Sequence, residues 1–146
     1  MYTVVRFNQS KNDLFEKAIN IRTTVFVDEL NIDPELECDE FDNIAHHYLL
    51  LENEIPLATA RWRETSKGIK LERFAALKKF RGKGIGTYLL KEVLKDVIPL
   101  SKRIYLHSQH TAVNLYLKNG FEIIGEPFEE AGIKHFYMEY KNDHID

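Results

Sequence analysis

Apolar and polar residues change their spacing several times along this chain, and each change marks an element. Val4, Val5 and Phe7 form a short strand-like opening that ends at Asn8-Gln9-Ser10. Leu14, Phe15, Ala18, Ile19, Val25 and Phe26 then follow a helical spacing, which predicts one apolar helix face with Ser10 as N-terminal cap. Between residues 28 and 42 the pattern turns irregular and acidic, and Pro34 interrupts it. Strand-like runs return at 45–51, 57–64 and 69–77, with turns at Asn53-Glu54 and Ser66-Lys67-Gly68. Ile85, Leu89, Leu90, Val93, Leu94 and Val97 mark one side of a second helix, which Pro99 ends. Residues 103–107 read as a short strand and 111–119 as a short helix capped by Gly120; 121–125 and 134–140 read as two closing strands.

Neighbouring strands in mid-chain predict antiparallel hairpins, whereas strand, helix and strand between 69 and 107 predict one parallel crossover. The expected fold class is α/β, an α+β mixed sheet that is mostly antiparallel with helices on both faces. A chain of 146 residues without repeats or a linker suits a single domain spanning 1–146. A formal net charge of -3 argues against a nucleic-acid-binding polycation. Cys38 is the only cysteine, which excludes an internal disulfide and a multi-cysteine zinc site. No apolar run reaches the roughly 18 residues of a membrane helix, and residues 1–6 lack a signal-peptide pattern. The expectation is a cytoplasmic protein with no membrane or nucleic-acid partner.

The stretch richest in chemistry is Phe74-Ala75-Ala76-Leu77-Lys78-Lys79-Phe80-Arg81-Gly82-Lys83-Gly84-Ile85-Gly86-Thr87. A strand leads in, glycines alternate, and an amphipathic helix leads out. Glycines let a backbone approach a ligand closely, and the free N–H groups of a first helical turn face an anion. Lys78, Lys79, Arg81 and Lys83 add positive charge, so a phosphate or pyrophosphate is the expected ligand. No Lys-Ser/Thr pair completes a Walker loop, and Thr87 stands where a dinucleotide fingerprint needs its third glycine. The plainer alternative is a flexed turn with a solvated basic cluster.

Arg81-Gly82-Lys83-Gly84-Ile85-Gly86 resembles the Arg/Gln-x-x-Gly-x-Gly/Ala loop of the GNAT N-acetyltransferases, and Tyr116-Leu117-Lys118-Asn119-Gly120-Phe121 resembles that family's Tyr-x-x-x-Gly-Phe signature. Three segments, 22–29, 37–42 and 130–135, are similar to a subgroup of small, mostly uncharacterised bacterial members. The resemblance spans essentially the whole chain. It implies acetyl-CoA as cosubstrate and direct transfer of the acetyl group to a small-molecule amine acceptor in a ternary complex. A coenzyme A-binding sensor without turnover is the alternative.

By the same resemblance Phe74, Ala75 and Ala76 would pair with pantetheine as an added strand, the Ala76 N–H meeting the thioester carbonyl. Arg81, Gly82, Lys83, Gly84, Ile85, Gly86 and Thr87 would hold the pyrophosphate. Gln109, with Asn114 as a weaker candidate, would contact pantetheine. Tyr116 would protonate the departing thiolate. Glu72 is the expected general base; it lies four residues before Ala76, which on a regular strand puts both on one face. Arg73 beside it offers an ion pair that would make Glu72 structural. Glu37, Asp39, His107 and His135 are further candidates for the base. A homodimer is the assembly such relatives suggest.

From Thr23 to Ala60 there is no Lys or Arg, yet ten carboxylates fall inside. In the resembled fold this segment walls the acceptor side of the cleft, so a cationic amine is the expected acceptor. A solvated acidic loop is the alternative. Glu37, Asp39, Asp42, His46 and His47 invite a metal reading, but the spacing fits no standard calcium loop and adjacent strand histidines face opposite sides. No metal is expected, and Cys38 is expected to be an inert thiol.

Overall fold

The computed structural model describes residues 1–8 and 12–141. The expected Ser10 cap lies outside the described residues. Strand β1 (Tyr2–Phe7) leads to helix α1 (Asn12–Arg22), which gives way to a wider π-type turn at Thr23–Glu29. That change falls where the run Thr23-Thr24-Val25 places three β-branched residues in succession, which restricts side-chain rotamers in a regular helix. The acidic segment is ordered by its own side chains. Asp33 accepts from the Glu35 N–H and starts the short helix α2 (Pro34–Glu37); Asp39 accepts from the Phe41 N–H and starts a 3-10 turn at Glu40–Asn43.

Strands β2 (His46–Glu52), β3 (Ile55–Thr65) and β4 (Gly68–Ala76) form the expected meander. Helix α3 (Ile85–Val97) then crosses to β5 (Ile104–Gln109), which pairs in parallel with β4. The short helix α4 (Val113–Leu117) and strands β6 (Phe121–Ile123), β7 (Phe128–Glu130) and β8 (Ile133–Tyr140) complete the order. The sheet runs β1-β2-β3-β4-β5-β8-β6, with β7 also on β8. Every contact except β4–β5 is antiparallel, as the strand spacing predicts. Three-residue β7 was absent from the sequence expectation because Phe128-Glu129-Glu130 is too short to show alternation.

Each sheet face has its own core. On one, α3 and α4 pack Leu89, Leu90, Val93 and Tyr116 against Leu50, Leu71, Leu106 and Met138. On the other, α1 and the turn after it bring Ala18, Ile21, Val25 and Phe26 onto Phe7, Leu49 and Ala75. Helices therefore cover both faces. Arg22 and Arg61 are also almost fully buried on the α1 side, which no hydrophobic pattern announces.

Candidate active site

The parallel ladder between β4 and β5 ends at Leu71 and Leu106. Beyond that rung β4 stays with β3 and β5 stays with β8, so the two strands fork. The α1-side rim of the fork opens a cleft of about 350 Å³, lined among others by Lys70, Glu72, Arg73, Phe74, His107, Gln109, Tyr116, Glu130 and His135. A second recess of about 260 Å³ is lined by Ala76, Arg81, Gly82, Gly84, Ile85, Gly86, Thr87 and Leu115. Most of the expected site residues therefore line one of these two hollows. Ala75 packs into the α1-side core, and Lys83 and Asn114 line neither space.

Gly82 and Gly84 sit at φ values of 81° and 79°, a left-handed backbone that favours glycine. Their conformation turns the chain into α3, whose first N–H groups have no helical partner. Among the described residues, no backbone carbonyl accepts from the N–H of Gly82, Lys83 or Gly84 either. A Cβ on Gly86 would stand 3.4 Å from the Leu115 side chain, so this glycine lets α3 and α4 approach. Arg81 also lines this recess, and its guanidinium is held by two partners. It forms a two-pronged ion pair with Glu29 at 2.6 and 2.8 Å and donates to the Ala76 carbonyl at 2.8 Å. It braces the loop against β4 and the turn after α1.

Leu77 donates its N–H to Leu57 on β3. Strand alternation then turns the Ala76 N–H the other way, toward the fork. Tyr116 presents its ring edge-on to Phe74 and Phe121, at centroid distances of 6.1 and 5.7 Å. Burial pushes its phenol pKa above the ordinary tyrosine value, so the group stays protonated.

The regular alternation expected from Glu72 to Ala76 does not hold. A β-bulge lies between Thr59 and Arg61 in the β3–β4 register, and Arg73 opposite it has φ 57°. The extra residue reverses the alternation. Glu72 faces the α1 side opposite Arg61, while Ala76 faces the α3 side opposite Ala58, so the two do not share a face. Nor does Arg73 pair with Glu72. The Glu72 carboxylate is held by Arg61 at 2.9 Å, Arg63 at 2.9 Å and Lys70 at 3.3 Å. Burial raises its pKa, but these cations outweigh burial and leave it below the usual carboxylate range.

Arg73 instead reaches Glu37 at 3.3 Å and Asp39 at 3.2 Å. Arg22 holds Glu37 at 2.6 Å and Asp42 at 2.9 Å, and Arg61 joins Asp39 and Asp42. Burial opposes ionisation of Asp42, and the two guanidiniums override it and lower its pKa. The buried carboxylates of the acidic segment, Glu37, Asp39 and Asp42, are therefore matched by Arg22, Arg61 and Arg73. His46 stacks on Trp62 at 4.0 Å while His47 is buried beside Phe7 and Phe15, so adjacent histidines do face opposite sides. Glu130, which the sequence reading did not single out, lies between His107 at 3.0 Å and His135 at 3.9 Å.

A family model described as an acetyltransferase (GNAT) domain matches residues 16–142. The Bacillus subtilis (strain 168) protein named uncharacterized N-acetyltransferase YjcF is 33% identical over 140 residues, covering 94% of this chain and 98% of that one. The crystal structure of Escherichia coli ElaA superposes with a TM-score of 0.86 at 25% identity, over 97% of this chain and 100% of that one. A GNAT family acetyltransferase from Elizabethkingia anophelis with acetyl-CoA bound shares the fold at a TM-score of 0.67 and 21% identity, over 94% of each chain.

Proposed function

The chain belongs to the GNAT acetyltransferase family and is an acyltransferase, and we propose that it moves the acetyl group of acetyl-CoA to an amine by direct attack in a ternary complex. The observation that carries this reading is the fork between β4 and β5 beside the glycine loop, where the N–H groups of Gly82, Lys83 and Gly84 have no backbone acceptor among the described residues. Pyrophosphate fits the N–H cradle of Gly82 to Thr87, and pantetheine fits the open edge of β4 beside Phe74 and Ala76, with Gln109 on the facing arm. The acetyl-CoA held by a solved relative of the same fold supports this.

The Ala76 N–H would donate to the thioester carbonyl and favour the oxyanion that forms on attack. As the C–S bond breaks, the Tyr116 phenol would supply the proton that the thiolate sulfur takes up. Glu72, held by three cations, would anchor β3 to β4 at the cleft floor. The charge-matched wall favours an acceptor chosen by shape and hydrogen bonding over one drawn by net charge.

Thermal unfolding in excess acetyl-CoA, coenzyme A, ATP and NAD tests the cosubstrate. A ligand at 100 times its dissociation constant adds about 2.7 kcal/mol, a shift of several degrees for a chain this size. Shifts confined to the two coenzyme A species are expected. No shift with either would refute the reading.

A further inference from the structure

We propose that His107 takes the proton from the acceptor amine, with Glu130 and His135 as the residues that position it; the proposal rests on the acetyltransferase reading. His107 sits on β5 one residue past the last parallel rung and lines the cleft. Its Nδ1 lies 3.0 Å from Oε1 of Glu130. An ionised carboxylate only accepts, so Nδ1 carries the hydrogen and the lone pair of the neutral ring falls on Nε2. Among the described residues nothing hydrogen-bonds that Nε2. A basic nitrogen on a cleft wall, with a carboxylate behind it to stabilise the imidazolium, is the arrangement used by histidine bases.

The support for the ring is itself constrained. The second Glu130 oxygen lies 3.9 Å from His135 Nε2, and His135 Nδ1 is fixed on the Ile133 carbonyl at 2.7 Å. The turn at Ala131-Gly132, both residues left-handed, closes the β7–β8 hairpin that carries Glu130 and His135. Phe128 meets the His107 ring edge-on at 5.1 Å. The titratable and charged groups facing His107 are Glu130 from β7, His135 and Tyr137 from β8, Tyr105 on its own strand, and Lys70 and Glu72 from β4 across the fork. Glu72 is the poorer acceptor, because a proton there would break ion pairs to Arg61, Arg63 and Lys70.

The ammonium gives one proton to His107 Nε2, and the neutral amine forms the N–C bond at the thioester carbonyl. The C–S bond breaks with its electron pair on sulfur, which takes the Tyr116 proton. The surplus proton on nitrogen returns to the tyrosinate, and His107 releases its proton to water.

Nitrogen-15 NMR of the imidazoles should show His107 of the wild-type chain as the Nδ1–H tautomer, and Glu130→Ala should release that preference. An Nε2–H tautomer in the wild type overturns the proposal. Thiol release from acetyl-CoA is then followed with two probe acceptors, benzylamine, which arrives protonated at neutral pH, and aniline, which arrives neutral. His107→Gln should lower kcat/KM for benzylamine roughly 10²–10⁴-fold and erase the acid limb of its pH profile. The aniline rate and acetyl-CoA affinity should stay within a few-fold. Equal losses with both amines, or a preserved acid limb, overturn the role. Acetyl-CoA binding without turnover of either amine also overturns it, whereas a wild-type chain that binds no acetyl-CoA refutes the acetyltransferase reading itself.

Discussion

Tyr116 shows how burial and chemistry combine in one side chain. Its ring belongs to the α3-side core, yet the residue also lines the cleft. Desolvation keeps its phenol protonated, the state a proton donor requires. Tyr116→Phe keeps the ring and its edge-on contacts with Phe74 and Phe121, and removes only the oxygen. The expected result is a fall in kcat of roughly 10²-fold or more with acetyl-CoA affinity unchanged. Steady-state kinetics beside calorimetric titration reads both, and an unaltered kcat would remove Tyr116 from the mechanism. This residue was legible in the sequence because its motif is local, ending in Gly120-Phe121. The His107–Glu130 contact was not legible, because the partners are 23 residues apart and meet only when β5 and β7 flank β8. A signal was nonetheless present: Glu130 and His135 bracket Ala131-Gly132, and a tight hairpin there puts both on one face.

Among the elements, the glycine loop and the β3–β4 pair differ in what sets their shape. The loop's shape follows from glycine itself, since φ near +80° at Gly82 and Gly84 is a backbone requirement. Added methyls there would meet nothing within 4 Å. Gly84→Ala should therefore cost about 1–2 kcal/mol of stability through backbone strain alone. Acetyl-CoA affinity should drop roughly tenfold as the N–H cradle is displaced, about 1.4 kcal/mol. Unchanged affinity would mean the loop does not hold the ligand. The bulge at Arg73 gave no such signal, because a left-handed arginine carries no sequence signature. A one-residue slip there moves Glu72 to the other face from Ala76, so strand parity failed where the site is built. The acidic segment also read differently once folded, since its cations arrive from α1, β3 and β4. Raising salt from 50 to 500 mM should accordingly leave KM for a cationic acceptor within about twofold. A steep rise would restore the negative-wall reading.

For the molecule as a whole, the buried ion network joins the α1 side of the sheet to the segment that roofs the cleft, and it ties stability to pH. Burial works against the charge on Asp39, Asp42 and Glu72, and their arginine partners overrule it and depress all three pKa values. Depressed carboxylates contribute stability that is fully present above their unfolded values near pH 4 and lost as pH falls through the folded values. His47 acts in the same direction at higher pH. Its burial beside Phe7 and Phe15 lowers its pKa, so below about 6.5 the unfolded chain takes up the proton first and folding weakens. Acid should therefore destabilise the fold in two stages, one below about pH 6.5 and one below about pH 4. Urea unfolding across pH 3–8 would resolve them, and His47→Gln should flatten only the upper stage. Arg61→Met should be the most damaging single change in the network, because it leaves Asp39, Asp42 and Glu72 facing one another with a cation gone. Removing one partner of a buried pair costs about 3–5 kcal/mol. The same variant should move the lower stage to higher pH, since its carboxylates no longer resist protonation. A loss under 1 kcal/mol with the acid transition unmoved would show that the cluster is solvated and that packing alone holds the cleft roof.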